Sequence, residues 1–90
     1  MNELDIDEYK NKIVTNVYRI KAESNVNLHK HPKHDEIFYC VKGEGYGVLE
    51  DGETELIVGK ECIVSAGTMH SLRTESELYV ASFLIPLPGT

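Results

Sequence analysis

The strongest constraint on this chain is its punctuation. Turn-forming clusters at Lys42-Gly43-Glu44-Gly45, Asp51-Gly52, Gly59-Lys60, Ala66-Gly67 and Glu75-Ser76 cut it into short runs rich in Val, Ile, Tyr and Phe. The runs fall at roughly 13–20, 25–31, 36–42, 46–50, 54–58, 61–65, 69–74 and 77–85. Eight strands at that spacing predict an all-β antiparallel sandwich or barrel. Asp51-Gly52 sits between two such runs and offers the positive φ angles of a tight hairpin turn. Residues 1–12 read as an N-terminal arm or the start of a helical turn, ahead of one domain over 13–90. Ninety residues leave no room for a second domain, and an apolar share of 41% is enough for one core.

Charge and hydropathy narrow the partners. Nine Lys and Arg against fifteen Asp and Glu give a net charge of −6, with no basic cluster and no helix-turn-helix pattern. Phosphate backbones need a field of the opposite sign, so no nucleic acid partner is expected. The longest apolar stretch, Leu78 to Pro88, contains Ser82 and two prolines. It falls well short of the ~20 residues that span a bilayer, so no membrane partner is expected. The first residues are acidic rather than basic-then-apolar, which predicts a soluble cytoplasmic protein without a signal peptide. Cys40 and Cys62 each lie inside an apolar run and read as reduced core thiols.

Alternate side chains of a strand face opposite ways. Val26 and Leu28 therefore share one face, with Asn27, His29 and His31 on the other. Glu36, Phe38 and Cys40 likewise oppose Ile37, Tyr39 and Val41. The last run, Leu78–Ile85, is apolar on both faces, which predicts a buried strand or one covered by a second copy in a homodimer. The facing of Tyr46 is left open, and Arg73 is expected to point outward as a solvated charge.

Three of the four histidines, His29, His31 and His34, fall within six residues, and His70 lies far downstream. His29 and His31 alternate so that their imidazoles converge, with Cα atoms about 6–7 Å apart. Glu36 follows beyond Pro32, and two neutral imidazoles with one carboxylate suit a first-row metal. His70 opens another strand just after Ala66-Gly67, where a turn can carry it to the same mouth. Cys40 shares the face of Glu36 but lies about 13 Å along the strand, too far to join.

These residues carry a resemblance. His29-x-His31, a gap of four, Glu36, a gap of six and Gly43 resemble the first motif of the cupin superfamily. Gly59, Ser65-Ala66-Gly67, His70 and Thr74 resemble the second, across a spacer of fifteen residues from 44 to 58. Glu23, Ser65 and Thr74 depart from the family pattern at positions that shape turns rather than bind metal. The resemblance implies a small single-domain cupin, an antiparallel β-barrel or jelly roll with a metal near one mouth. It assigns the ligands as His29, His31, Glu36 and His70. The implied ion is a divalent transition metal (iron, manganese, zinc, nickel or copper), and at octahedral coordination four such ligands would leave two positions open for water, oxygen or substrate.

The implied function is an enzyme of dioxygenase or isomerase type acting on a small organic or sugar-like molecule. The alternative is a metal-containing module that binds or senses a small molecule without turnover. Near the ligands, His34 is the candidate catalytic group, for proton transfer or substrate contact. Phe38 is expected at the pocket floor and Leu72, which shares the parity of His70, in its wall.

Overall fold

One strand organises the molecule. The computed structural model describes residues 3–23 and 30–88, and within it β2 (His34–Leu49) runs for 16 residues through two sheets. Around it lie α1 (Ile6–Lys12), β1 (Val14–Lys21), β3 (Gly52–Ile57), β4 (Glu61–Val64), β5 (His70–Arg73) and β6 (Glu77–Pro86). The first half of β2 pairs with β6 on one side and β4 on the other, and β6 pairs onward with β1. The second half pairs with β3 and β5. All these pairings are antiparallel.

The passage between sheets has a local cause. The register of β2 on β6 slips between Cys40 and Lys42, a bulge at Val41 of the kind that bends and twists a strand. Two residues on, Gly43 takes a φ of 81°, and a Cβ there would run into the carbonyl oxygen of Glu77. A side chain is excluded twice over, by backbone angle and by space. Further along, a Cβ on Gly47 would overlap the Cys62 sulfur, so the second half of β2 lies directly against β4. The expected break at Lys42–Gly45 is thus a bend inside one strand, and the separate strands 36–42 and 46–50 are one.

The expected parity holds along the first half of β2. Glu36, Phe38 and Cys40 are buried, whereas Tyr39 and Val41 are exposed. The inner faces of both sheets meet in one core of Ile20, Phe38, Cys40, Leu56, Cys62, Val64, Leu72, Leu78 and Val80. Both cysteines are free and buried there, and burial pushes both thiols above their ordinary range.

Several expectations need correction. Leu49 pairs with Gly52, so the hairpin turn is Glu50-Asp51 and only Gly52 of the expected pair has a positive φ. Closure into a barrel is not seen among the described residues. The ladder runs β1-β6-β2-β3 with β4 and β5 attached only to β2, which gives two facing sheets sharing one strand. The strand expected at 25–31 falls mainly on residues 24–29, outside the described residues.

Residues 6–12 form α1. Its N-cap Asp5 accepts a bond from the Glu8 amide at 3.1 Å, and acidic residues lead and lysines end it, as the helix dipole favours. It buries none of its own residues, and the Tyr9 hydroxyl donates to the Pro86 carbonyl at the end of β6. No helix among the described residues is long and apolar enough to cross a membrane.

The close approach of β2 to β4 sets a test. Gly47→Ala forces an extra methyl against the Cys62 sulfur, which should cost about 1–3 kcal/mol. Thermal unfolding should then fall by roughly 4–8 °C for each kcal/mol lost. An unchanged melting temperature would mean that the two strands leave room for a side chain at position 47.

Candidate metal centre

Glu36 projects from the inner face of one sheet, and His70 projects from the facing one. Glu36 is the third residue of β2, and His70, the first of β5, pairs with Leu49 at the strand's far end. Backbone ties bring in the third group. The Gly67 amide donates to the His31 carbonyl at 2.9 Å, and the Ala66 amide donates to Asp35 Oδ1 at 2.8 Å. The turn before His70 is thereby fastened to the segment that carries His31. The Leu87 amide, bonded to the Lys33 carbonyl at 3.0 Å, holds the end of the chain against the same segment.

The ring of His70 has a defined orientation. Its Nδ1 lies 2.9 Å from the Thr68 carbonyl oxygen, which can only accept, so Nδ1 carries the hydrogen. The other nitrogen, Nε2, then points at Glu36 Oε1, 2.9 Å away. His31 Nε2 lies 3.4 Å from that same oxygen. The second carboxylate oxygen, Oε2, accepts a bond of 2.6 Å from the Ser82 hydroxyl. Burial is graded across the group, with side-chain exposure of 1% for His70, 5% for Glu36 and 33% for His31. The His70 ring packs beside Phe38 at 5.8 Å between centroids and beside His31 at 5.7 Å.

This donor set suits a cation. An ionised carboxylate so deeply buried is stable only beside compensating positive charge and hydrogen-bond donors. With Nδ1 of His70 committed to Thr68, a neutral ring would set its Nε2 lone pair against a carboxylate oxygen. A proton between the two atoms, or a metal ion, resolves that contact. One ligand atom from each of His31, Glu36 and His70 lies within 4.8 Å of the other two. Neighbouring donors held about 2.1 Å from one ion are about 3 Å apart, close to the two nitrogen–oxygen separations found. A ring nitrogen anchored to a backbone carbonyl behind a ligand is the usual support for a histidine that binds metal.

The other expected residues fall as follows. His29 lies outside the described residues. His34 is half-buried at the start of β2, level with Pro86 of β6. Phe38 is buried against His70, and Leu72 is buried in the core two residues beyond it. Tyr46 pairs with Arg73 across β2 and β5, on the face opposite His70. Arg73 does point outward but is not merely solvated. Its guanidinium grips Glu53 at 2.5 and 2.7 Å and covers the Tyr46 ring at 4.2 Å from the centroid. The hydrogen bond to Arg73 holds the Glu53 carboxyl below its ordinary range.

Thr74 closes its turn by donating to the Glu44 carbonyl at 2.6 Å and accepting from the Ser76 amide at 3.1 Å. Sequence reasoning missed Ser82, whose signal was a lone hydroxyl on the inward parity of an otherwise apolar strand.

Residues 16–85 match the cupin domain family, so the chain is a cupin. No curated protein sequence matches it. Among solved structures, a predicted oxalate decarboxylase from Thermotoga maritima is similar at 26% identity and a TM-score of 0.79, covering 93% of this chain and 76% of its own. KdgF from a Halomonas species is 24% identical with a TM-score of 0.73, covering 83% and 70%. The DMSP lyase DddQ from Ruegeria pomeroyi is 21% identical at 0.75, covering 87% of this chain and 40% of its own. The two below a quarter identity show the fold alone.

The ring assignment can be read directly. Long-range proton–nitrogen NMR of the metal-free protein at neutral pH should show His70 carrying its hydrogen on Nδ1. A ring protonated at Nε2 alone would contradict the bond to Thr68.

Proposed function

We propose that this chain is a metal-dependent cupin that binds a small organic molecule at a divalent transition ion and acts on it there. His31, Glu36 and His70 are the ligands in this reading, with His29 as the fourth. One observation carries it, the nearly buried Oε1 of Glu36 lying 2.9 and 3.4 Å from two imidazole nitrogens. Family membership supports it, because cupins usually bind a metal. The likeness to a predicted oxalate decarboxylase supports a small carboxylic acid among the candidate substrates.

When bound, such an ion supplies a Lewis acid with open positions. The protein's own groups do the rest. Glu36 contributes one negative charge, and the two imidazoles contribute none when neutral. His31, a third exposed, marks the open side by which a small molecule reaches the site. Phe38 walls the buried side of His70 and keeps water from it. Leu72 backs that wall in this reading, and His34 contacts the substrate or moves a proton at the mouth.

The chain is further proposed to work as a homodimer in the cytoplasm. Two free, buried thiols are in keeping with a reducing compartment. The outer face of the β1-β6-β2-β4 sheet carries a cross-strand row of Ile63, Ile37 and Phe83, with Tyr39 and Ala81 beside it. Ile63 is 61% exposed and Tyr39 40% exposed. Sheets apolar on both faces are ordinarily covered on both, and a second copy offers the matching surface.

Protein purified without a nickel column should carry close to one transition metal ion per chain by elemental analysis. Glu36→Ala and His31→Ala should each abolish that content, and an empty wild type would end the metal reading. Because each imidazole must be neutral to ligate, bound metal should fall away below roughly pH 5–6. In a panel of small organic acids and sugars, His34→Ala should keep the metal and slow turnover by about 100-fold or more. A loaded wild type that binds but converts nothing would leave a binding or sensing module instead. Light scattering at micromolar concentration should give the mass of two chains, and Ile63→Glu should give one.

A further inference from the structure

The inner face of β6 is apolar except at one place. Leu78 and Val80 point into the core and are fully buried, and the next inward residue is Ser82, 2% exposed. A hydroxyl so placed is costly unless it is hydrogen-bonded, and an alanine or valine would be the ordinary choice for packing. Its partner is Oε2 of Glu36 at 2.6 Å. That distance is typical of a hydroxyl donating to an ionised carboxylate. The register places Ser82 opposite Phe38, two residues from Glu36 on the same face of β2, so the contact is a cross-strand diagonal.

The consequence concerns which oxygen does what. Oε1 faces His31 and His70, while Oε2 is held by Ser82. We infer that Ser82 is a positioning residue that presents Glu36 to a divalent ion through Oε1 alone. A carboxylate released from that bond can turn about its last torsion and offer both oxygens to one ion. Chelation by both would fill a coordination position that the serine keeps open for an incoming molecule. The inference rests on the reading that the three residues hold metal, and it adds a determinant of coordination number.

The test uses Co(II), whose visible absorption reports coordination number, with wild type and three variants. Ser82→Thr and Ser82→Val have nearly the same shape and differ in the hydroxyl, so any crowding by the added methyl is common to both. Ser82→Ala removes the hydroxyl without crowding. Thermal unfolding of each metal-free variant checks that it is folded.

The expected result is that Ser82→Thr binds cobalt with the wild-type spectrum and within a few fold of its affinity. Ser82→Val and Ser82→Ala should bind about 10–100-fold more weakly, with a spectrum shifted toward higher coordination. Valine and threonine variants that match each other in affinity and spectrum would overturn the inference, as would an alanine variant that matches wild type. A wild type that takes up no cobalt would instead overturn the metal reading, and this inference with it.

Discussion

The architecture depends on a single strand serving two sheets. β2 cannot turn from one sheet to the other without the bulge at Val41 and the positive φ of Gly43. It cannot approach β4 unless position 47 lacks a side chain. Once those conditions are met, Glu36 near one end of β2 and His70, paired to its other end, meet across the core. The candidate site is therefore a product of the bend. Its three groups come from separate segments, and the path of the backbone brings them together.

Much of this was legible in the sequence, for reasons that differ by residue. Strand parity works where a strand has one dry face, and so Glu36, Phe38 and Cys40 are all found inward. The grouping of His31, Glu36 and His70 was legible through the resemblance of their spacing to the two cupin motifs, and the three side chains do lie together. The Lys42–Gly45 cluster misled because glycine marks both a chain reversal and a sharp bend, and only tertiary pairing decides between them. The hairpin shift by one residue has a similar source, since Gly52 begins the returning strand instead of ending the turn. Closure of a barrel is not seen among the described residues, because strand count does not reveal that β4 and β5 both attach to β2.

Ser82 and Arg73 were illegible for a different reason. Each matters through a partner distant in sequence, Glu36 for the serine and Glu53 with Tyr46 for the arginine. A short apolar strand with one serine looks like tolerance of a small polar residue. An arginine at a strand end looks like solubility. Pairing in the fold gives each a specific task, holding a carboxylate in one case and capping an aromatic ring in the other.

The bond from the Gly67 amide to the His31 carbonyl also sets when order is imposed. That bond ties the turn ahead of His70 to the stretch bearing His31, so the entropy lost in joining them belongs to folding. In the proposed metal reading, an incoming ion would meet groups already fastened together by this bond. The corollary is mechanical. A disturbance that loosens either segment should spread to the other, so the cradle would open as a unit.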